Sequence, residues 1–580
     1  MAESQHVFID GNNLGRRWKD GSGITIVETG FGCGLNFLLT WNALRESGAR
    51  CRLDFVSVEK HPFHLDELAP VLRQWPQLSD LGRSLLAAYP PLIGGFHRLH
   101  FDEGRVTLTL LFGEAEQMLA ELDARADAFF LDGFAPSRNP DMWSPALFRQ
   151  IARLAVPGST VASYSVAGVV RRGLEEAGFV VEKRTGFARK REMLFAMRPG
   201  TEPSKPVPGK VMIVGAGIAG TSCAFALARR GIGVVLVDRK NAVAKAASGN
   251  PAAVVRPFVT LDEGVRSRFG MAAFGNAVRL YREARLRTGF SWNESGVLQL
   301  ARDPAHLDRL VRAVELNAYP PELVRLVDAR QATELCGVAV KEQGLWFPAA
   351  GFIDGESLCK ALHQLAAPLG EFRGGLEVEQ VLVDDAGFVR MVQAEARTID
   401  RGDMAILANG VGARLFMPDG APWLRSARGQ VSALEPPEPR LRSPVCRDGY
   451  VTPQMQQHNY AGATFDQSRF DSSVDEQDHR SNLQRVARIL PAVFDHAGVD
   501  ATTGWAGVRC VSRDRLPVVG EIGQNLFCCV ALGSRGFGWA PILSEALAAH
   551  ITGGPAPLER SVLDRLSPAR FLPFSSRIDK

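Results

Sequence analysis

The chain has 580 residues, which is too long for a single hydrophobic core and predicts two to four domains. Its hydrophobic content of 46% and charged content of 22% are typical of a soluble globular protein, and no apolar run reaches the roughly twenty residues that span a bilayer. The net charge of +4 is too small to indicate a general nucleic-acid binder. Nine scattered cysteines without a CxxC pair favour a reducing cytoplasm and argue against disulfides or a structural metal.

The first motif along the chain is a strand that runs into a glycine-rich turn. Residues 6–9 are expected to form a short strand before a turn, and residues 24–28 a buried strand. An acidic residue before G-x-G-x-G is typical of S-adenosylmethionine methyltransferases, in which the glycines admit the nucleoside and methionine moiety. The candidate cofactor-binding residues in this turn are Glu28, Gly30, Gly32, Gly34 and Asn36.

Three further strands are expected to end in acidic residues. The strand over residues 53–58 ends at Glu59, where a ribose diol would be held, and the strand over residues 106–112 ends near Glu114, at the expected adenine position. A fourth strand ends at Asp132. Ligands in open α/β sheets bind at this carboxyl edge, although a helix cap is the alternative for any single acid. Alternating strands and helices predict a doubly wound, Rossmann-like domain over residues 1–197.

A proline-rich segment over residues 198–210 is expected to be a linker, because its four prolines exclude a helix or a central strand. Directly after it, residues 211–238 show a strand, a G-x-G-x-x-G turn, a helix and a second strand. Gly215 permits the tight turn, Gly217 lets the backbone approach a pyrophosphate, and Gly220 lets helix and strand pack. Asp238 then lies where a carboxylate can accept ribose hydroxyls. This order predicts an adenine dinucleotide site.

The remainder, up to residue 580, is expected to complete this second domain with an inserted substrate domain of mixed helices and strands. A small-residue loop follows the fingerprint at Ser248, Gly249 and Asn250, where it could pass close to a cofactor. A buried strand is expected at residues 526–532, and a helix from Pro541 to about His550. The turn between them contains the further cofactor-binding candidates Gly533, Ser534, Arg535 and Gly536.

The C-terminal part resembles the FAD-dependent amine oxidases of the D-amino-acid and glycine oxidase group. The matching features are the fingerprint, the turn at residues 407–410, W-A-G-x-R at residues 505–509 and the final strand, glycine turn and helix. The resemblance implies that Arg509 grips a substrate carboxylate, a task that suits a bidentate guanidinium, although a structural ion pair is the alternative. Cys510 lies near where some such enzymes attach flavin, but we expect noncovalent FAD.

Nearly the whole chain resembles the bifunctional tRNA 5-methylaminomethyl-2-thiouridine biosynthesis family. The resemblance is carried by long strings in the right order, namely E-T-G-F-G-x-G-x-N at residues 28–36, F-L-D-G-F-A-P-S-x-N-P-D-M-W at 130–143, G-F-x-x-K-R-E-M-L at 186–194, A-S-G-N at 247–250, G-V-R-C-x-x-R-D at 507–514 and L-G-S-R-G at 532–536. It implies two cofactors, FAD and S-adenosyl-L-methionine, and a tRNA anticodon stem-loop as partner. Neither DNA, nor a membrane, nor an obligate oligomer is expected.

This resemblance implies two reactions on a wobble uridine. The oxidoreductase half would remove the carboxymethyl group of 5-carboxymethylaminomethyl-2-thiouridine, and the methyltransferase half would methylate the resulting primary amine. Asp132 is the candidate to orient that amine and accept its proton. A basic cluster is compatible with a phosphate backbone or with a plain solvated surface, and consists of Lys183, Arg184, Arg189, Lys190 and Arg191.

Two features depart from this family. Its members are expected to carry several dozen more residues before the equivalent of His6, and to have Asp where this chain has Glu114. The alternative function is therefore a small-molecule amine oxidase of glycine or sarcosine type, joined to a weakened or non-catalytic methyltransferase-like module that binds tRNA.

Overall fold

The computed structural model describes residues 1–20, 23–133, 141–188, 190–201, 207–262, 264–393, 397–494 and 503–571. The chain forms two compact units. Unit 1 comprises Met1–Val207 and Ala549–Ser561, and unit 2 comprises Pro208–Ala548 and Val562–Lys580. Within the described residues, no helix is long and apolar enough to cross a membrane.

The strands of unit 1 are β1 (Ile24–Glu28), β2 (Leu53–Glu59), β3 (Gly95–Phe101), β4 (Val106–Phe112), β5 (Ala126–Phe130), β6 (Ala155–Ser163), β7 (Val180–Thr185) and β8 (Glu192–Met197). Its helices are α1 (Ala2–Ser4), α2 (Leu14–Arg17), α3 (Leu35–Glu46), α4 (Leu65–Leu72), α5 (Ser79–Ala88), α6 (Ala115–Glu121), α7 (Pro145–Leu154) and α8 (Gly168–Glu176).

These strands form one sheet in the order β3-β4-β2-β1-β5-β6-β8-β7. The five central strands from β4 to β6 run parallel, while β3, β7 and β8 pair antiparallel with their neighbours. The chain order reverses between β1 and β5, so this is a doubly wound sheet whose switch point lies beside β1. The predicted fold class of this half is confirmed.

The N-terminal segment differs from the prediction. Residues Gln5–Asp10 form a π-helical turn rather than a strand, and Val7, Phe8 and Ile9 are buried. Phe8 stacks on Phe130 of β5 with ring centroids 5.1 Å apart. A short apolar run does not distinguish a buried helix from a strand, and here no neighbouring strand pairs with it.

A C-terminal segment also packs in unit 1, although the sequence predicts that all of residues 211–580 belong to the oxidoreductase domain. The backbone N–H of Ala556 donates to the Asp123 carbonyl at 2.8 Å. The guanidinium of Arg98, on β3, is fully buried and donates to the Pro555 carbonyl at 2.5 Å. Residues 549–561 therefore belong to the first compact unit, and this long-range contact leaves no local pattern in the sequence.

The strands of unit 2 are β9 (Lys210–Val214), β10 (Gly233–Asp238), β11 (Ala253–Val255), β12 (Val297–Leu300), β13 (Arg325–Val327), β14 (Gly344–Phe347), β15 (Gly351–Ile353), β16 (Gly370–Gly374), β17 (Gln380–Val383), β18 (Val389–Val392), β19 (Thr398–Gly402), β20 (Met404–Leu407), β21 (Leu424–Leu434), β22 (Val445–Cys446), β23 (Tyr450–Val451), β24 (Asn459–Gly462), β25 (Gly504–Ser512), β26 (Val518–Gly523) and β27 (Leu526–Val530). The remaining helices of the chain are α9 (Ile218–Ala228), α10 (Val265–Thr288), α11 (Pro304–Asn317), α12 (Ala329–Cys336), α13 (Gly355–Ala366), α14 (Glu476–Ile489), α15 (Pro491–Phe494), α16 (Gly536–Thr552) and α17 (Arg560–Leu566).

Unit 2 has two principal sheets. The first has the order β16-β10-β9-β20-β27-β26 and is parallel except for β26, so it is the predicted dinucleotide-binding sheet. The second has the order β13-β14-β12-β22-β23-β24-β21-β25 and lies in the region for which the sequence predicts an inserted substrate domain. The fold class predicted for this half is confirmed.

The helix predicted from Pro541 begins five residues earlier, at Gly536. Proline has no N–H to donate to the carbonyl four residues before it, which is that of Phe537. The Tyr281 hydroxyl, on α10, donates to the Phe537 carbonyl instead. The helix therefore tolerates an internal proline, and its N-terminus lies directly on the glycine turn.

Candidate functional site

The turn between β1 and α3 has the backbone geometry that its glycines predict. Gly32 and Gly34 adopt left-handed conformations with φ of 51° and 78°. A Cβ at Gly34 would lie 2.7 Å from the Phe31 ring, and one at Gly30 would lie 3.1 Å from the Asp132 carbonyl oxygen. The protein's own atoms therefore crowd a side chain at Gly30 and Gly34, whereas Gly32 faces open space, which fits a nucleoside of S-adenosylmethionine approaching the backbone there.

An amide bridges the two buried carboxylates of this cleft. The Asn36 side-chain nitrogen donates to Glu28 Oε1 and to Asp132 Oδ2, both at 2.8 Å. Ser57, on β2, donates to the other oxygen of Glu28 at 2.5 Å. The sequence predicts the three bridged residues individually, but it does not show that one amide joins the acids. Two carboxylates beside a neutral bridge favour a cationic ligand, such as a sulfonium or an ammonium group.

Burial controls the protonation of both acids. Glu28 is 1% exposed, and burial raises its pKa well above the ordinary value despite the hydrogen bonds from Ser57 and Asn36. Burial likewise raises the pKa of Asp132, while Asn36 and the Lys190 ammonium oppose the shift. A carboxyl group with a raised pKa at a strand end is suited to proton transfer.

The other two predicted acids lie on the same edge of the sheet. Glu59 accepts hydrogen bonds from the backbone N–H groups of Gly32 and His61, each at 2.8 Å, so it fixes the glycine turn. Glu114 precedes α6, is about half exposed, and pairs with Lys60 at 2.5 Å. Glu59 is thus hydrogen-bonded to the backbone of the glycine turn, whereas Glu114 lies at the surface beside the cleft.

The sequence does not predict that Tyr164, Glu3 and Lys190 lie near Asp132, although it assigns Lys190 to the basic cluster. The Tyr164 hydroxyl, after β6, donates to the Gly133 carbonyl, and the Lys190 ammonium lies 4.0 Å from the centroid of the Tyr164 ring. Lys190 also pairs with Glu3 at 2.7 Å. No strand-and-glycine signal marks these residues, because they come from separate loops and from the first turn of the chain.

The predicted basic cluster lies on and after the edge strand β7. Lys183 pairs with Glu192 at 2.7 Å, and Arg184 lies over the Phe195 ring and pairs with Glu182. Arg189 lies outside the described residues, and Arg191 is exposed. Exposed pairs of this kind are worth at most about 1 kcal/mol, so a phosphate backbone could displace them.

The turn between β9 and α9 is equally closed to side chains. Gly215 has φ of 103°, and a Cβ there would lie 2.7 Å from the Asn409 Cα. A Cβ at Gly220 would lie 1.8 Å from the Gly215 carbonyl oxygen, and one at Gly217 would lie 2.8 Å from Ser248 Oγ. This cradle fits the pyrophosphate of a dinucleotide, which requires backbone N–H groups without side chains in front of them.

The predicted partners of this turn meet it. Asp238 ends β10 and accepts from the Ala216 N–H at 2.7 Å, and Ser248 Oγ accepts from the Ile218 N–H at 2.9 Å. Gly249 approaches so closely that a Cβ would lie 2.7 Å from the Ala244 carbonyl oxygen. Asp238 and Ser248 therefore hold the glycine turn and the start of α9, and Gly249 packs closely beside them.

Asn250 connects this loop to the second sheet of unit 2, which contains β23. Its side-chain nitrogen donates to the Tyr450 hydroxyl at 3.4 Å, and its side-chain oxygen accepts from the Ala252 N–H at 3.0 Å. Arg509, on β25, donates to the Thr464 carbonyl at 3.1 Å and forms no ion pair with any residue that the structure describes. Burial lowers the pKa of Arg509, and Tyr450 opposes this shift.

A second guanidinium stands at the glycine turn before α16. Gly533 is left-handed with φ of 57°, Ser534 is exposed, and Gly536 begins the helix. Arg535 stacks on Phe258 with its guanidinium carbon 3.9 Å from the ring centroid. Burial lowers the pKa of Arg535, so this position also favours a negatively charged ligand.

The cysteines and acids near these sites indicate neither a thiolate nor a metal centre. Burial raises the pKa of Cys510 to about 12, so its thiol is neutral and is a poor nucleophile for attaching flavin. Within the described ranges, no group of three or more histidine, cysteine, aspartate or glutamate residues could hold a metal ion.

The two units and their turns define a fusion of a methyltransferase-type unit with an oxidoreductase of dinucleotide-binding fold. Residues 210–550 match the family described as FAD dependent oxidoreductase, and residues 76–199 match the S-adenosyl-L-methionine-dependent methyltransferase family. The chain is 40% identical to the tRNA 5-methylaminomethyl-2-thiouridine biosynthesis bifunctional protein MnmC of Ralstonia nicotianae, over 99% of this chain and 93% of that protein. It is also 40% identical to the MnmC protein of Thiobacillus denitrificans, over 98% and 93%. The chain belongs to the bifunctional MnmC family.

Solved structures support the fold of unit 2. Glycine oxidase from Bacillus cereus superposes with a TM-score of 0.53 at 22% identity, over 63% of this chain and 99% of that one. L-proline dehydrogenase from P. horikoshii superposes with a TM-score of 0.55 at 19% identity, over 63% and 98%. These likenesses concern the fold of unit 2 alone and confirm the fold that the sequence predicts for it.

Proposed function

We propose that this protein is a bifunctional enzyme that modifies the wobble uridine of tRNA. Its FAD-dependent half removes the carboxymethyl group of 5-carboxymethylaminomethyl-2-thiouridine, which leaves 5-aminomethyl-2-thiouridine. Its S-adenosylmethionine-dependent half then methylates this primary amine to give 5-methylaminomethyl-2-thiouridine. The observation that carries the proposal is the presence of both closed glycine turns in a chain that matches MnmC proteins over 99% of its length.

In the oxidoreductase half, Arg509 is proposed to hold the carboxylate of the carboxymethyl group. A buried guanidinium without an acidic partner is costly unless an anion reaches it, and a carboxylate fits its two parallel N–H groups. FAD, when bound, would supply the two-electron oxidation of the substrate N–CH₂ bond. The resulting imine is hydrolysed to glyoxylate and the primary amine. The hydrogen bond between Asn250 and Tyr450 is proposed to fix the side of the substrate pocket that contains Arg509.

The turn before α16 is proposed to stabilise negative charge on the reduced cofactor. The N-terminus of α16 begins at Gly536 and presents backbone N–H groups with a partial positive charge. The hydrogen bond from Tyr281 to Phe537 fixes the first turn of this helix despite Pro541. Gly215, Gly217, Gly220, Asp238, Ser248 and Gly249 are proposed to bind the adenine dinucleotide portion.

In the methyltransferase half, Asp132 is proposed to orient the substrate amine and accept its proton. A free alkyl amine is mostly protonated at neutral pH, and it must be neutral to attack the sulfonium methyl group. The raised pKa of Asp132 makes it a better proton acceptor than an ordinary aspartate. Glu28 and Asn36 keep it in place, and the glycine turn with Glu59 and Glu114 is proposed to bind S-adenosylmethionine.

The proposed partner is the anticodon stem-loop, whose modified base must leave its stack to reach either pocket. The described residues of the basic cluster on β7 are proposed to contact the stem. We further propose a monomeric enzyme that acts in the cytoplasm, where its tRNA substrate is found.

The purified protein should be incubated with tRNA that carries the carboxymethylaminomethyl group, and its wobble nucleosides measured by mass spectrometry. Without S-adenosylmethionine we expect the bare amine and one glyoxylate per site, and with it the methylated amine. Oxidation of free glycine or sarcosine, with the tRNA left unchanged, would overturn the proposal.

A further inference from the structure

The turn between β25 and β26 presents an exposed basic surface. Arg513 and Arg515 flank Asp514 in this turn, and both arginine side chains are exposed. Arg266, in the first turn of α10, is also exposed and donates to the Asp514 carbonyl at 2.8 Å. None of these three arginines forms an ion pair with any residue that the structure describes. The fold therefore brings guanidinium groups from two elements to one turn without supplying a carboxylate for them.

The carboxylate of Asp514 is engaged by other groups. It accepts from Arg570 Nε at 2.9 Å and from the Ser512 hydroxyl at 2.8 Å. The side chain of Arg570 is less than a tenth exposed, so this ion pair is largely shielded from water. These bonds fix the shape of the turn and neutralise its acid, and the exposed arginines keep their charge for an external anion.

Arg515 has a backbone conformation that does not favour an arginine. Its φ of 60° lies in the left-handed region, where glycine and asparagine are the preferred residues. Its N–H donates to the Ser512 carbonyl at 3.2 Å, so this conformation belongs to a closed turn. An arginine here costs folding free energy that asparagine or glycine would reduce. The side chain of Arg515, rather than the turn itself, therefore gives the position its use.

An exposed aromatic ring adjoins Arg515. The Arg515 guanidinium carbon lies 5.9 Å from the centroid of the Phe465 ring, and Phe465 is 45% exposed. Phe465 directly follows Thr464, whose carbonyl accepts from Arg509 at 3.1 Å. The ring is thus one residue away from the contact of the proposed carboxylate-binding guanidinium. An exposed aromatic ring beside arginines is the combination on which unpaired RNA bases stack.

The backbone on both sides of this ring is fixed. The Thr464 N–H donates to the Gln430 carbonyl at 3.1 Å, and Asp466 exchanges two backbone hydrogen bonds with Arg428 at 2.7 and 2.9 Å. The Asp466 carboxylate accepts from the N–H and the hydroxyl of Ser468, so this acid has its own local partners. A ring on such a backbone can stack on a base with little loss of backbone entropy.

We propose that Arg266, Arg513, Arg515 and Phe465 form a surface of unit 2 that binds single-stranded RNA next to the nucleotide that is being oxidised. The inference rests on the proposed function, because an anticodon loop supplies unpaired bases and phosphates beside the wobble nucleotide. The arginines bind phosphates, and Phe465 stacks on an unpaired base. The basic cluster proposed to contact the stem belongs to unit 1, so each unit holds the RNA by contacts of its own.

A synthetic anticodon stem-loop that carries 5-carboxymethylaminomethyl-2-thiouridine tests the role of Phe465, with flavin reduction as the readout. In F465L the kcat/KM for oxidation of the stem-loop should fall about tenfold, because leucine cannot stack on a base. The loss should appear in KM rather than in kcat, since the stacked base is not the one that reacts. F465Y should retain the value of the unaltered protein.

The variant R515N separates RNA binding from folding. Asparagine suits the left-handed conformation, so the midpoint of thermal unfolding should stay the same or rise while KM for the stem-loop increases. The plot of log(kcat/KM) against log[salt] should become less steep by about 0.7 for the phosphate contact that is lost. A purely structural role of Arg515 predicts the opposite, namely a lower midpoint with an unaltered salt dependence.

The matched control is R390Q. Arg390 lies on β18 of a separate three-stranded sheet, is exposed, and forms no ion pair with any residue in the described ranges. Its kinetic constants should equal those of the unaltered protein. An unaltered KM for the stem-loop in both F465L and R515N would overturn the RNA-binding surface while leaving the function intact. Failure of the unaltered protein to oxidise both the stem-loop and the free nucleoside would instead overturn the function.

Discussion

The two clefts of this chain share a backbone plan and differ in the sign of their buried charge. In unit 1 a strand, a glycine turn and a helix bring together Glu28 and Asp132, and burial raises the pKa of both acids. Unit 2 also has a strand, a glycine turn and a helix, but its candidate charged residues are Arg509 and Arg535, and burial lowers the pKa of both arginines. The glycines make room for a nucleotide in each case, and the buried charge decides what reacts there. A sulfonium and an amine suit the acidic cleft, whereas a carboxylate and a reduced flavin suit the basic one.

The largest expected effect comes from removing the carboxylate of Asp132. In D132N the amine loses its proton acceptor, so methylation should slow by about 10² to 10⁴-fold, the usual range for general base catalysis. Oxidation by unit 2 should be unchanged. Single-turnover methylation of tRNA carrying the bare amine measures this effect, and a loss below threefold would show that Asp132 is not the acceptor.

Removing the guanidinium of Arg509 should have the next largest effect. R509M leaves the substrate carboxylate without its partner, so kcat/KM for oxidation should fall about a hundredfold, as expected for charged hydrogen bonds in a site from which water is excluded. R509K should recover only part of this, since an ammonium cannot make two parallel bonds. Flavin reduction by the tRNA in stopped flow is the measurement. An unaltered rate would place the carboxylate elsewhere.

The pH dependence of methylation sharpens the assignment of Asp132. Because the pKa of Asp132 is raised, its carboxyl group stays protonated to a higher pH than that of an ordinary aspartate, whose pKa is about 3.9. The acidic limb of the pH–rate profile for methylation should therefore lie above that value. As the pH falls through this pKa, methylation should decrease because the acceptor is lost. Protonation of the substrate amine adds a second limb to the same pH–rate profile. The unaltered enzyme should therefore decline more steeply below neutral pH than the residual activity of D132N, and identical profiles would contradict the assignment.

A substitution in the dinucleotide turn should weaken FAD binding. In G217A the new Cβ would lie 2.8 Å from Ser248 Oγ and in the path of the pyrophosphate, so the Kd for FAD should rise about tenfold or more. The matched control is G275A within α10, where the nearest atom to a Cβ is the flexible end of Arg279 at 3.4 Å. Equal flavin content in both variants would show that the cradle tolerates a methyl group.

The smallest expected effect concerns the start of α16. Y281F removes the hydroxyl that donates to the Phe537 carbonyl, and Pro541 has no N–H to replace it. The free energy that stabilises the first turn of α16 should therefore fall by about 1 to 2 kcal/mol. The midpoint of thermal flavin release should fall by a few degrees, with oxidation otherwise retained. An unchanged midpoint would mean that another group, such as water, satisfies this carbonyl.

The sequence predicts the parts of both clefts that depend on local pattern. The bounds of β1, β2 and β4 agree with the prediction to within one residue, and the glycines lie in the predicted turns. Apolar runs and glycines are local signals, so the sequence alone reveals them. What it does not predict depends on contacts between distant residues. The amide bridge of Asn36, the Lys190 and Tyr164 neighbours of Asp132, and the packing of residues 549–561 in unit 1 are of this kind.

Two errors of interpretation have a similar origin. Residues 6–9 are buried by packing on β5 and not by pairing with a strand, and the helix before Pro541 is stabilised by a hydroxyl from α10. Both cases show tertiary contacts that override a local preference. The predicted roles of the site residues stay predictions, since geometry alone places them without measuring their chemistry.

The most direct test is to replace the chromosomal gene with D132N or R509M and to measure wobble nucleosides by mass spectrometry. The account predicts different products, with the bare 5-aminomethyl-2-thiouridine accumulating in D132N and the carboxymethylated nucleoside accumulating in R509M. Accumulation of the same nucleoside in both strains would contradict the division of labour between an acidic and a basic cleft.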